Sequence, residues 1–129
     1  KKIDIEAKLL AQLATSHVIP AGIAYQRNLA ENVKAMKDAG LSKTDTEVQV
    51  NLIKELAQHI KNISTNVSKL LAELDKAHHL DSTHKSAMAF SSKVKPLFDP
   101  IRKSSDALEF LVDDELWKLP KYREMLFVK

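Results

Sequence analysis

The 129-residue chain has no cysteine, only two glycines and only four prolines. Without cysteine there is no disulfide framework, no thiolate nucleophile and no zinc site built on sulfur, and the composition suits a cytoplasmic protein. Glycine and proline together supply six residues, under half the roughly 12% of an average soluble domain. Tight β-turns consume such residues, so a hairpin-rich sandwich or small barrel is disfavoured and an all-α fold is expected. No apolar run reaches the roughly 18 residues of a membrane span, so no membrane partner is expected. Hydrophobic residues at 44% and charged residues at 29% argue against disorder, and the length suits one domain over residues 1–129. The opening Lys1-Lys2-Ile3-Asp4 has neither an initiator Met nor the apolar core of a signal peptide. It reads as the start of a piece cut from a longer protein.

Charge of one sign is also lacking. The formal net charge is +3, but the basic and acidic residues are interspersed, and only Arg27, Arg102 and Arg123 are arginines among twenty basic residues. Phosphate-binding surfaces cluster their charge and favour arginine, so this is a mixed solvated surface and no nucleic-acid partner is expected.

What the chain does have is helical periodicity. Ile53, Leu56, Ile60, Ile63, Val67, Leu70, Leu74 and Ala77 recur at alternating intervals of three and four, one continuous seam on a helix at about 45–78. Leu52 and Leu71 widen the seam as a bundle requires. Thr44 and Glu47 form an expected capping box at its start, and Lys76 and His78 suit its negative end. A third segment, about 82–115, repeats the spacing through Ala87, Phe90, Val94, Leu97, Ile101, Ser104, Leu108 and Leu111, with Asp81 or Ser82 as N-cap. Pro96 and Pro100 interrupt it, yet the stripe keeps phase across both, which favours a kinked helix over two separate ones. The first segment, about 4–39, carries Leu9, Leu10, Leu13, Ala14 and His17, then Ile23, Leu29, Val33 and Met36. Pro20 with Gly22 predicts a kink or short break, and Gly40 the helix end. Short connections imply an elongated antiparallel up-down-up bundle of three long helices, the first and third kinked at proline.

The tail at 116–129 differs in texture. Phe110, Trp117, Tyr122 and Phe127 are four of the seven aromatics. Trp117, Pro120, Tyr122, Leu126 and Phe127 are the candidate structural or interface residues. They form either an aromatic strap on the bundle or an anchor on another domain or subunit.

No catalytic or metal-binding set emerges. His78, His79, Asp81 and His84 straddle a turn and read as solvent-exposed turn histidines. Glu55 and His59 are four apart and occur once, unlike the paired Glu-x-x-His of dimetal bundles. The two glycines form no phosphate loop, and the Asn62 and Asn66 glycosylation patterns fall inside a helix. Asp113-Asp114-Glu115 lies near the expected end of the third helix, where the dipole disfavours it, and Lys118, Lys121 and Arg123 are candidate partners.

Two stretches carry a resemblance. Glu6-Ala7-Lys8-Leu9-Leu10, His17-Val18-Ile19-Pro20, Tyr25-Gln26 and Asn32-Val33 are similar to the opening of the C-terminal domain of type III glutamine synthetases. The stretch from Ile101-Arg102 through Asp106-Ala107-Leu108-Glu109 to Trp117-Lys118-Leu119-Pro120-Lys121-Tyr122-Arg123-Glu124-Met125-Leu126-Phe127 resembles that domain's ending, Trp-Pro-x-Pro-x-Tyr-x-x-Leu-Leu-Phe. Lys118 stands where that pattern has proline and Met125 where it has leucine. The resemblance implies a parent enzyme that ligates ammonia to glutamate with ATP and Mg or Mn, through a γ-glutamyl phosphate. It implies that catalytic, nucleotide and metal residues belong to an upstream domain, with no cofactor in this segment. The implied partners are that catalytic domain and neighbouring subunits. Without the resemblance, the residues fit an independent helix-bundle interaction module, or less well a weak nucleic-acid binder.

Overall fold

The computed structural model describes residues 2–117, and every regular element among them is helical. Pro120, Tyr122, Leu126 and Phe127 lie outside the described residues. Three helical segments follow one another. The first joins α1 (Lys2–Leu13) to α2 (Ile19–Asp38) through a π-turn at Ala14–Val18. The second is α3 (Glu47–His78), 32 residues and roughly 48 Å long. The third runs from α4 (Thr83–Ala89) through a π-turn at Phe90–Val94 and a 3-10 turn at Lys95–Leu97 into α5 (Phe98–Leu111). A last 3-10 turn spans Asp114–Leu116.

The prolines explain the irregular turns. Proline lacks an N–H and crowds the carbonyl four residues back, which for Pro20 is Ser16 and for Pro96 is Ser92. Each of those serines is the third residue of a π-turn. Widening the turn moves the crowded carbonyl aside, and the backbone closes i→i−5 bonds from Ile19 to Ala14 and from Lys95 to Phe90. Of the kink or short break expected at Pro20, there is no break: the helix swells into a π-turn one turn earlier and continues. Pro100 sits in the first turn of α5, where an N–H has little to bond.

The helix ends follow local chemistry. Gly40, at φ 95°, closes α2 in a Schellman motif: its N–H bonds Lys37 O and that of Leu41 bonds Met36 O, each at 3.0 Å. Ser82 caps α4 by accepting the Lys85 N–H at 3.0 Å. The expected Thr44–Glu47 capping box does not form. Thr46 occupies the cap position of α3, and its buried hydroxyl donates to Lys43 O. The reciprocal polar contact lies upstream, where Asp45 accepts from both the N–H and hydroxyl of Ser42. These bonds hold the Asp45 carboxyl below its usual pKa. The third helix stops at Leu111 rather than near 115: Val112 is extended and Asp113 caps the following turn through the Glu115 N–H. The acidic run thus begins a 3-10 turn instead of burdening a helix C-terminus.

The core lies along α3. All eight seam residues are buried or half-buried, with Leu56, Ile63 and Leu70 fully enclosed. Each such side chain contributes roughly 1.5–3 kcal/mol relative to exposure. The first helix presents a different stripe from the one expected. Ala7, Ala11, Ala14, Val18 and Ala21 are buried, whereas Leu9 and Ile23 are about half exposed and His17 is exposed. Small residues let α1 approach α3 closely, which turns its larger leucines to the flanks. In the third segment Phe98 replaces Leu97 as the buried residue, because the π-turn adds a residue and the 3-10 turn tightens the helix again; Ala87, upstream in α4, is exposed. Leu71, expected in the seam, is also about half exposed.

Cross-helix contacts join the segments. Gln26 donates to Ile53 O at 3.0 Å, Gln49 donates to Asn32 Oδ1 at 3.0 Å, and Gly22 lies against Ile60 and Leu108.

Candidate functional site

His78 Nε2 lies 2.9 Å from Asp4 Oδ1, and its ring meets Phe90 edge-on at 5.5 Å. Ser86 completes this small cleft but donates its hydroxyl to Ala77 O. Burial opposes the Asp4 charge, but the His78 hydrogen bond and the neighbouring Lys8 and His78 charges outweigh it and lower the carboxyl below its ordinary 3.8. His79 instead pairs with Asp75 on its own helix, Nδ1 lying 2.8 Å from the Asp75 carbonyl oxygen, and Asp81 pairs with Lys85. His78, His79 and Asp81 therefore point to separate partners. His59 lies between Glu55, 3.8 Å from Nε2, and the buried Ser104, 3.4 Å from Nδ1.

Among the described residues, no group of three His, Cys, Asp or Glu is placed to hold a metal ion. Gly22 is wedged between side chains and Gly40 ends a helix, so neither opens a phosphate-binding loop. These residues do not fit the ATP and divalent metal that the resemblance implies for the parent enzyme, and no chemical step is assigned through those groups.

The feature best formed for recognition is apolar. Leu10, Leu13, Ala14 and Val18 from the first segment line a groove of about 200 Å³ with Arg102, Ser105, Asp106 and Glu109 of α5, and Trp117 lines it too. Arg102 is held over the Phe98 ring, 5.4 Å from its centroid. Trp117 is half-buried, and its buried Nε1 has no hydrogen-bond partner among the described residues. Of the expected interface residues, Trp117 alone is described, and it lies on this groove. The remaining lining residues escaped the sequence reading. The periodicity places Leu10 and Leu13 in the core stripe, and nothing in the spacing of Arg102 and Asp106 marks them as sharing a groove with Leu10. Asp4 was likewise missed, since its partner lies 74 residues away.

Comparison with known proteins bears on the resemblance. The profile of the glutamine synthetase C-terminal domain matches residues 1–37. A glutamine synthetase of Bacteroides fragilis (strain YCH46) is 36% identical over 132 residues, covering 99% of this chain. The type-3 glutamine synthetase of Dictyostelium discoideum is 33% identical over 132 residues, covering all of it. The chain spans only 18% of the length of either relative. The likeness thus runs through both end motifs and the helices between them, and the chain is a relative of glutamine synthetases, type-3 among them, over a segment whose opening matches their C-terminal domain.

Proposed function

We propose that residues 1–129 form a single non-catalytic helical domain of a cytoplasmic, oligomeric glutamine synthetase, serving its subunit packing. The ligation of ammonia to glutamate, with ATP and Mg or Mn, belongs in this reading to a separate catalytic domain of the parent. The observation that carries it is the match of nearly the whole chain to 18% of two much longer synthetases. The architecture we propose is an elongated up-down-up bundle with an aromatic strap. It is supported by contacts in which residue numbers rise along one segment as they fall along its neighbour: Asp4 with His78, Gln26 with Ile53 and Asn32 with Gln49 between the first and second, and Ala77 with Ser86 and His59 with Ser104 between the second and third. Beyond Gly22, α2 and the start of α3 bury no large apolar side chain completely. That end of the molecule, with Val48 70% exposed, and the 87%-exposed Phe110 are the surfaces offered to the rest of the synthetase.

The test uses the synthetase that carries this segment, full-length and cut before Lys1, with residues 1–129 alone as a third sample. Light scattering reads assembly mass, and a γ-glutamyl transfer assay reads chemistry. The expected outcome is no turnover by residues 1–129 and a smaller assembly from the cut enzyme. Turnover by the isolated segment overturns the non-catalytic assignment, and an unchanged assembly overturns the packing role.

A further inference from the structure

We propose that α1 is a lid, hinged at the Ala14–Val18 π-turn and latched by the Asp4–His78 pair, that opens while the rest of the bundle stays closed. α1 packs on α3 and on the Phe90–Val94 turn of the third segment. From Asp4 onward its buried side chains are Ala7 and Ala11, whereas Ile5 is 64% and Leu9 53% exposed. Opening therefore returns little of α1's own apolar surface to water. α3 is the opposite case, with Leu56, Ile63, Val67, Leu70 and Leu74 buried along its length. The other helices are tied together without α1. Gln26 donates to Ile53 O and Gln49 to Asn32 Oδ1 beyond the π-turn, while Ser86 donates to Ala77 O and joins α4 to the end of α3.

The hinge follows from Pro20. Proline brings no N–H to the backbone ladder, and Ile19 bonds Ala14 O, five residues back instead of four. Sharp bends in helices concentrate at prolines and π-turns. Val18 and Ala21 are buried at the far side of the turn, so α2 is anchored where α1 begins to swing. The latch lies at the other end of α1, roughly 15 Å of helix from the hinge. There the Asp4 carboxylate, on a side chain only 15% exposed, meets His78 Nε2 at 2.9 Å. The His78 ring also meets Phe90 of the third segment, with 5.5 Å between centroids. Lys8, 3.6 Å from Asp4, sits on α1 and moves with it. A ligand or subunit contact with different affinities for the open and closed forms shifts their balance.

Native-state hydrogen exchange on the full chain, read amide by amide by NMR, tests hinge and latch separately. The expected result for the parent is one common opening constant for Lys8–Leu13, about tenfold or more above that of Ile63–Leu74, with the step at the π-turn. A constant that instead falls residue by residue from the first turn inward is end fraying and overturns the hinge. Equal constants in α1 and α3 overturn the lid, because α1 then opens only when the whole chain unfolds. Asp4→Asn and His78→Gln weaken the pair from either side, and urea denaturation measures how far each lowers global stability. If lid opening breaks the pair, each variant raises the α1 constant by the same factor as the global unfolding constant, about 3–10-fold. An α1 constant that stays fixed while global stability falls overturns the latch, as does a variant that changes neither. If one variant fails to fold, the other decides. These readouts involve no ligase chemistry, so the accessory-domain reading stands or falls separately.

Discussion

The tightest test of the packing is Gly22, where all three helical segments meet. A Cβ built there would lie 3.1 Å from Ile60 Cδ1, 3.2 Å from Ile60 Cγ1 and 3.5 Å from Leu108 Cδ1. Two opposing terms decide the effect of filling the position. Replacing glycine inside a helix contributes about 1 kcal/mol for alanine and slightly less for leucine. Against this stands the crowding. For Gly22→Ala, the half-buried Ile60 can yield by a few tenths of an ångström, and Leu108 is already at ordinary contact distance. The two terms nearly cancel, and a stability within about 1 kcal/mol of the parent is expected.

Gly22→Leu places three further carbons beyond a Cβ that is already in contact. Leu108 is fully enclosed and has no free direction of retreat. Overpacking costs about 1–3 kcal/mol, and three added carbons against an enclosed neighbour place Gly22→Leu in the upper half of that range, above the propensity gain. The expected net loss of about 1–2 kcal/mol lowers Tm by roughly 3–12 °C for a chain of this length. Thermal and urea denaturation followed by circular dichroism at 222 nm reads both changes. Leu108→Ala alone should cost about 2–5 kcal/mol through the cavity it leaves. In the double variant the new leucine enters that cavity, so the two costs should fall short of additivity by about 0.5–3 kcal/mol. A parental Tm for Gly22→Leu, or strict additivity in the cycle, would refute the three-way contact.

Two smaller predictions test local chemistry. Gly40→Ala meets no atom within 4 Å but must hold φ near 95°, so backbone strain alone should cost about 1–2 kcal/mol in a denaturation experiment, whereas an unchanged Tm would mean that α2 ends differently. Asp4→Asn should remove one source of acid sensitivity. The folded carboxyl has the lowered pKa, so its contribution is complete above the ordinary 3.8 and disappears as pH falls through the folded value. The stability gap between parent and variant should therefore close as titration proceeds from about pH 5 to pH 2, and a gap constant with pH would contradict the Asp4–His78 pairing.

How much of this was legible depended on what each helix packs against. The α3 seam stood out because α3 is bordered on both sides, and large aliphatic side chains at three-and-four spacing fill both contacts. The first helix has the same periodicity in Ala7, Ala11, Ala14, Val18 and Ala21, but alanine is the residue that hydrophobic ranking passes over. Leu9, Leu10 and Leu13 were conspicuous by size, although close helix approach rewards the small side chains beside them. The Gly40 terminus was readable because a left-handed residue has few alternatives to glycine. The Thr44–Glu47 box was not, because Ser42 and Asp45 offer the same chemistry two residues earlier and the buried Thr46 hydroxyl tips the balance.

The prolines show most clearly where pattern and structure part. Phase continuity across Pro96 argued for one helix, and the backbone stays helical from Thr83 to Leu111. Yet the continuity is the sum of two departures, a wide π-turn and the tight 3-10 turn that follows it. Their near-cancellation keeps Val94, Ile101, Ser104 and Leu108 on the core side while exchanging Leu97 for Phe98. The exchange matters for the candidate site. With Phe98 buried, its ring provides the surface over which Arg102 is held at the groove. At Pro20 the π-turn spans Ala14–Val18, so two residues of the groove wall, Ala14 and Val18, belong to the turn that accommodates the proline. The proline that leads the first helix to swell thus also shapes the apolar wall facing Trp117. This is a consequence of the i→i−4 clash at Ser16, and it could not be read from the positions of apolar residues alone.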